Sequence, residues 1–239
     1  MRATLGADDQ RLAVQLLAEG SETKRRRLEA RAAAEGPDVL WDDPRLMPAL
    51  LEHQGLAAPS PALFLYVTLR RLLREVGVDD RLIADYCASL VLAFGRRDRA
   101  YRIAEHDENR YAYLVDLVAE ADRAEGERQF RVRAHLGNFA LWLAGIFPDY
   151  IAARRARKGG PDLPYYEAVG RSGFRMASGH ALAERYGLDG VLRQAGEQFG
   201  ELRIALNRLS DRMLFPRHDS PDRLMRQVAD MMRHGQPPH

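Results

Sequence analysis

The chain has 239 residues, of which 46% are hydrophobic and 29% are charged, so it can fold around a sizeable core. Its 36 basic residues nearly balance its 34 acidic ones. This balance disfavours a dedicated nucleic-acid binder, which concentrates basic charge on one surface. The single cysteine, Cys87, excludes an internal disulfide and a cysteine-rich metal site.

The sequence also predicts the cellular compartment of the protein. Its first residues contain no apolar stretch of the kind that a secretory signal peptide carries. Two charge-free runs, residues 53–69 and 134–148, are either interrupted by proline or shorter than the about 20 apolar residues that a membrane-crossing helix needs. We therefore expect a soluble, cytoplasmic protein without a membrane span.

Helical periodicity dominates from the first residues, and strand alternation is nearly absent. Residues 9–19 and 22–34 are predicted helices, and the second is rich in arginine with little apolar face. Together they predict an N-terminal helical arm, residues 1–35. Residues 36–61 hold five of the 12 prolines, which predicts an irregular connection because proline disfavours helix before it.

The middle of the chain is a regular series of helices. Residues 61–76 and 80–94 each carry an apolar stripe and are joined by a short turn, which predicts an antiparallel pair. A helix follows after residue 107. Residues 127–147 are apolar almost all round in their second half, so this helix should be the most buried element. A short basic helix, residues 149–158, comes next.

The last third begins with a Gly-Pro-rich stretch near 158–164, which predicts an internal hinge. Helices are predicted over 164–186, over 188–214 and from residue 221, with a disordered tail at 234–239. The sequence thus predicts an all-α fold, an orthogonal or antiparallel bundle of roughly eight to ten helices with no sheet. Residues 36–233 are predicted to form a single domain.

Signatures of known chemistry are absent from the sequence. No glycine-rich phosphate loop follows a strand, no Glu-x-x-His pair occurs, and no nucleophile elbow is present. No metal site is predicted, no cofactor is indicated, and the pattern leaves open whether the protein is an enzyme. The oligomeric state is also left open.

Two groups of polar residues are candidate ligand-binding positions. His135 and Asn138 lie three residues apart on the apolar helix 127–147, where they form either a satisfied hydrogen-bonded pair or part of a site. Residues 165–171 bring together aromatic and charged side chains, which predict either an exposed ladder of ion pairs or the wall of an anion pocket. These candidates are Tyr165, Tyr166, Glu167 and Arg171.

Three functions fit these features. The preferred one is a helical protein-interaction or regulatory module without catalysis, with the methionine-rich C-terminal amphipathic helix docking another protein. The alternative is a small-molecule-binding protein or enzyme with a pocket between helices 127–147 and 164–186. A second alternative, disfavoured by the near-neutral charge, is weak nucleic-acid contact through the basic segments at 24–27 and 154–158.

Overall fold

The computed structural model describes residues 1–55, 58–96, 98–104, 107–218 and 220–234. The chain is 76% helical, and the described residues contain fourteen α-helices and no strand, which confirms the predicted all-α class. Most of the predicted tail, residues 234–239, lies outside the described residues. His234 is the last residue of the C-terminal helix.

The helix count exceeds the eight to ten predicted because short helices form where the sequence predicts loops or one long helix. The proline-rich connection contains two of them. The predicted helix 164–186 ends at Ser178, and the His180 side chain caps a new helix by accepting a hydrogen bond from the Leu182 amide (3.2 Å). The predicted helix 188–214 breaks at Gln198, whose backbone (φ −98°, ψ 22°) leaves helical geometry.

The chain divides into two compact units. Unit 1 comprises Met1–Glu75 and Asp79–Leu92, and unit 2 comprises Val76–Val78 and the chain from Ala93 onward. The first helix packs against the next three, and residues Met1–Glu75 all fall within unit 1. The predicted hinge near 158–164 falls within unit 2.

The described residues of unit 1 form six α-helices, the last of which ends two residues beyond the unit. They are α1 (Ala7–Ala18), α2 (Glu22–Glu35), α3 (Asp38–Trp41), α4 (Leu46–Glu52), α5 (Pro61–Glu75) and α6 (Arg81–Phe94).

An ion-pair cluster around Asp42 links the short helices of unit 1 to α5 and α6. The Asp42 carboxylate accepts hydrogen bonds from Arg70 Nε (2.9 Å) and Arg81 Nη2 (2.6 Å) and pairs with Arg74 Nη2 (3.3 Å). Arg70 is only 3% exposed. Three arginines on one carboxylate form a network, which stabilises a fold more than isolated surface pairs do.

The described residues of unit 2 form eight α-helices. They are α7 (Leu114–Arg123), α8 (Gly126–Ile146), α9 (Pro148–Lys158), α10 (Leu163–Ser178), α11 (Ala181–Arg185), α12 (Asp189–Glu197), α13 (Phe199–Leu209) and α14 (Pro221–His234). A π-helical turn, Ser210–Leu214, continues α13.

Helix α8 is the core of unit 2. Thirteen of its 21 residues are buried, and α7, α10 and α13 all pack on it, as the apolar pattern predicts. Pro148 begins α9 directly after α8, and the two axes differ by 91°. No single described helix is long and apolar enough to cross a membrane; only this bent pair taken together passes the test of length and composition.

Candidate functional site

The predicted pocket between α8 and α10 corresponds to a close contact of two helix backbones. A Cβ atom on Gly173 would lie 2.7 Å from the backbone nitrogen of Gly137, and one on Gly170 would lie 2.9 Å from the Ala140 Cβ. Glycine is required at both positions because any side chain would separate the helices. At this crossing the two helices leave no room for a ligand.

His135 lies on another face of α8. Its ring packs 5.5 Å from the ring of Phe94 and 6.1 Å from that of Phe139, and the side chain is 4% exposed. Burial and, to a smaller extent, the nearby charge of Arg99 lower the pKa of His135 to about 4, against a hydrogen bond to the backbone of Ala100. The imidazole is therefore neutral at physiological pH.

The angular positions of these α8 residues keep His135 away from α10. At about 100° per residue, His135 lies about 200° around the helix from Gly137, which faces α10. Asn138 is half-buried on the same helix. The structure thus does not bring His135 to the side chains of α10 that were predicted to share a site with it.

Of the candidates on α10, the two tyrosines differ in environment. Tyr165 is 39% exposed, whereas Tyr166 is 2% exposed, and their rings meet edge to face at 6.2 Å. Burial raises the pKa of Tyr166, while the nearby positive charge of Arg154 of α9 opposes the rise. Tyr166 therefore helps to fix α9 against α10.

The two charged candidates on α10 have separate partners. Glu167 accepts a hydrogen bond from Arg203 Nε at 2.6 Å. Arg171 is half-buried and donates to the carbonyl oxygen of Glu197 at 3.5 Å. The two side chains thus connect α10 to Arg203 and to the backbone of Glu197.

The guanidinium of Arg203, on α13, is the centre of a buried polar network that sequence reasoning missed. It is 1% exposed and bonds Asp230 of α14 through both terminal nitrogens (2.8 and 3.2 Å), besides Glu167 and the Asn207 Oδ1 (2.6 Å). Burial disfavours its charge, but the bonds to Asp230 and Glu167 outweigh burial and raise the pKa of Arg203. The arginine therefore stays charged inside the unit.

The same network caps the end of α8. Asn207 Nδ2 donates to the carbonyls of Ala144 (2.8 Å) and Gly145 (2.7 Å), and Ser210 Oγ donates to that of Ile146 (2.7 Å). These carbonyls belong to the last turn, where a helix has no partners of its own. Asn207 and Ser210 thus provide hydrogen-bond donors for the last carbonyl groups of α8. Arg203 remains available to bind α14.

Helix α14 attaches to the unit through charged and polar side chains. Asp211, in the π turn, pairs with Arg223 Nε (3.1 Å) and Arg226 Nη2 (2.9 Å) and accepts from Gln227 Nε2 (2.9 Å). Asp230 is held by Arg203. We call Arg223, Arg226, Gln227 and Asp230 the inner face of α14.

The opposite side of α14 is apolar and faces solvent. Leu224 is 61% exposed, Met225 67% and Met232 81%, with Val228 half-buried between them. At 100° per residue these side chains and Ala229 fall on one continuous arc with no charged residue inside it. We call Leu224, Met225, Val228, Ala229 and Met232 the outer face of α14.

The sequence contains a pattern of polar residues that indicates the inner face. Arg203 and Asn207 lie four residues apart within an apolar helical pattern, and Arg223, Arg226 and Asp230 repeat at three and four residues. Polar residues at helical spacing among apolar ones indicate a second, polar stripe that needs partners. The signal predicts such a stripe but does not say which stripe of α14 faces inward.

The basic segment 24–27, by contrast, is largely paired with acidic residues of the same chain. In the segment 24–27, Lys24 pairs with Glu19 (2.7 Å), and Arg25 and Arg26 both pair with Glu22 (2.8 and 3.0 Å). These acidic partners reduce the positive charge that α2 could offer to a phosphate backbone.

A cavity of about 310 Å³ lies in unit 1 beside Trp41. Its arginines are already engaged: Arg71 donates to the carbonyl of Pro44 (2.8 Å), and Arg70 and Arg74 pair with Asp42. Nη1 of Arg70 lacks a partner among the described residues but is sealed from solvent. The cavity therefore presents no accessible unpaired guanidinium of these three residues to a ligand.

Comparison of the chain with models of known protein families, with curated proteins and with solved structures found no match. Within the part of the chain that the structure describes, no three side chains of His, Cys, Asp or Glu form a group that could hold a metal ion. The outer face of α14 is the strongest candidate for a functional surface because of the exposure of its apolar side chains.

Proposed function

We propose that this chain is a protein-interaction module and that the outer face of α14 is its docking surface. The observation that carries the proposal is the orientation of α14, which buries Arg223 and Asp230 while Leu224, Met225 and Met232 face solvent. Burying charge and exposing apolar side chains is the reverse of what folding alone favours. Contiguous exposed apolar patches on folded proteins mark interaction sites.

The spacing of the outer face suits recognition of a helix by an apolar groove. Leu224, Val228 and Met232 follow one another at steps of four residues, which is the repeat of the anchor residues in such complexes. Methionine adapts its shape to irregular apolar surfaces, so Met225 and Met232 suit a docking surface. The ion pairs of the inner face hold the helix in a fixed orientation before a partner arrives, which lowers the entropy lost on binding.

A cytoplasmic location forms part of this proposal. The only cysteine, Cys87, is buried and free, which fits a reducing compartment.

The proposal is tested by placing a photo-crosslinking phenylalanine derivative at Met225 in the full chain and irradiating living cells. Arg175, exposed on α10, is the matched control position. We expect discrete adducts from position 225 but not from position 175. The crosslinked proteins are to be identified by mass spectrometry. Each complex is then to be reconstituted from purified components.

A double substitution, Leu224→Ser with Met232→Ser, supplies the specificity control. Both side chains are exposed, so the free energy of unfolding should change by no more than about 0.5 kcal/mol. The adducts at position 225 should be lost in this variant. Identical adducts at positions 225 and 175, or adducts that survive the double substitution, would refute the proposal.

A further inference from the structure

Helix α9 carries aromatic and basic side chains on one face. At about 100° per residue, an arc of about 100° around this helix contains Tyr150, Arg154, Arg157 and Lys158. Tyr150, Arg157 and Lys158 are exposed, and Arg154 is half-buried. The buried Ile151 lies outside the arc. The arc is therefore open to solvent on both sides of Arg154.

Two further exposed tyrosines, from other elements, lie around Arg154. Its guanidinium carbon is 4.5 Å from the centroid of the Tyr113 ring, which immediately precedes α7. The same guanidinium lies near the hydroxyl of Tyr166, whose ring meets that of Tyr165 edge to face at 6.2 Å. Tyr113 and Tyr150 are each 48% exposed, and Tyr165 is 39% exposed. We call Tyr113, Tyr150, Arg154, Arg157, Lys158 and Tyr165 the tyrosine–arginine face.

The cations of this face have no acidic partner among the described residues. Arg157 donates to the carbonyl of Ala153, in its own helix, at 3.2 Å. Arg154 stacks on an aromatic ring, and Lys158 is exposed; neither forms an ion pair with a described carboxylate. Three positive charges are therefore available on one side of α9.

The acidic residues near this face in the sequence do not neutralise these charges. Asp162 pairs with Arg155 (3.2 Å), and Asp149 is directed to α14, where it lies 3.8 Å from Arg226 Nη2. Asp116, exposed in the first turn of α7, is a single negative charge. The tyrosine–arginine face therefore carries an excess of positive charge.

Exposed aromatic rings beside unpaired cations are the two elements that proteins combine to bind single-stranded nucleic acid without sequence preference. We propose that the tyrosine–arginine face binds single-stranded nucleic acid. Bases stack on Tyr113 and Tyr150, and Arg157 and Lys158 contact phosphates. Arg154 covers one side of the Tyr113 ring and leaves the other to a base. This inference goes beyond the proposed function, because it concerns a surface other than the outer face of α14.

The geometry favours a single strand over a duplex or a free nucleotide. Bases in a duplex stack on one another, whereas those of a single strand can be splayed out and stacked on aromatic side chains. From Tyr150 to Lys158 the face is about 12 Å long, since eight helical residues rise about 1.5 Å each. An exposed face of this length suits a chain with successive bases and phosphates.

The near-neutral charge of the whole chain limits the strength of this contact. Three cations neutralise about three phosphates. For single strands, the logarithm of the binding constant falls with the logarithm of the salt concentration by about 0.7 per phosphate. The expected slope is therefore about −2, which describes a weak, salt-sensitive contact.

The experiment titrates a fluorescently labelled thymidine 12-mer with the full chain and follows the anisotropy. We expect binding to weaken about 16-fold between about 50 and about 200 mM salt, which is a slope of about −2 over a fourfold change. A duplex of the same length and inorganic polyphosphate, at equal phosphate concentration, should compete at least about fivefold less well. Fivefold is about 1 kcal/mol, the lower end for one stacked base.

Two variants separate stacking from charge. Tyr150→Ala should weaken binding of the 12-mer at least about fivefold and leave the salt slope unchanged, because it removes a ring and no charge. Arg157→Ser with Lys158→Ser should reduce the slope by about 1.4, to about −0.7, because two phosphate contacts are lost. These side chains are exposed, so both variants should fold.

Each variant has a matched control. Tyr186→Ala removes an exposed tyrosine at the end of α11, and Arg26→Ser with Arg27→Ser removes two exposed charges from α2. Neither control should change the affinity for the 12-mer by more than about twofold. Urea unfolding of all four variants checks that the fold is retained.

Several outcomes would overturn the inference. Competition by the duplex or by polyphosphate equal to that of the single strand would show a general polyanion contact, and thymidine monophosphate that binds as tightly as the 12-mer would show a small-ligand site. Controls that lose as much binding as the test variants, or no binding with up to about 100 μM chain, would also overturn it. Crosslinking at Met225 is independent of all these results, so the failure of one proposal is distinguishable from the failure of the other.

Discussion

Replacing Asp230 by alanine removes the main partner of a buried charge. Asp230 accepts two hydrogen bonds from Arg203 inside unit 2, and Arg203 is 1% exposed. Removing one member of a buried ion pair costs about 3–5 kcal/mol, because the other charge stays buried without compensation. Glu167 remains bound to Arg203 in the variant, so we expect a loss near the lower end, about 3 kcal/mol.

The two tryptophans provide a clean assay, since Trp41 lies in unit 1 and Trp142 in unit 2. In a Trp41→Phe background, the fluorescence of Trp142 reports the urea unfolding of unit 2 alone. Asp222→Ala is the matched control, because this acidic residue of α14 is exposed and contributes at most about 1 kcal/mol through the helix dipole. A loss below about 1 kcal/mol for Asp230→Ala would show that α14 is not anchored through Arg203.

Three further predictions concern other parts of the chain. Gly173→Ala should destabilise unit 2 by about 1–3 kcal/mol in urea unfolding, because its Cβ would meet the backbone of Gly137, whereas Gly190→Ala, with open space around it, should stabilise by up to about 1 kcal/mol; equal effects would refute the close crossing. The pKa of His135 is lowered to about 4 in the fold, so the unfolded chain binds the extra proton and stability should fall by up to about 3 kcal/mol as the pH drops from about 6.5 to 4. An NMR titration midpoint near 6.5 for His135 in the folded chain would contradict this prediction. Burial raises the pKa of the Cys87 thiol to about 12, so a thiol reagent should label the chain only when it is unfolded, and rapid labelling of the native chain would contradict the buried position.

The sequence predicted the all-α class because each long helix has its own apolar repeat, which is a local pattern. It did not predict the breaks at Gly179 and Gln198, since apolar residues continue in helical register on both sides of each. Whether the chain bends at such a point depends on what the next turn packs against, and that information is non-local.

The orientation of α14 also depends on non-local information. Both stripes of α14 are visible in the sequence, and an apolar stripe normally faces the core. The helix is inverted because Arg203 and Asp211, on other elements, each offer a buried charge that needs a partner. The position of His135 shows a related limit: its helix was predicted correctly, but the face of that helix that α10 covers is set by Gly137 and Gly173.

The inverted orientation of α14 separates two kinds of selection that usually act on the same residues. A mutational scan scored only for folding, for example by resistance to protease, should accept polar substitutions at Leu224, Met225 and Met232 and reject them at Arg223 and Asp230. A scan scored for biological activity should reject changes at both sets. Subtracting one map from the other would therefore outline the docking surface directly, because at these positions an intolerance to polar residues cannot come from the core.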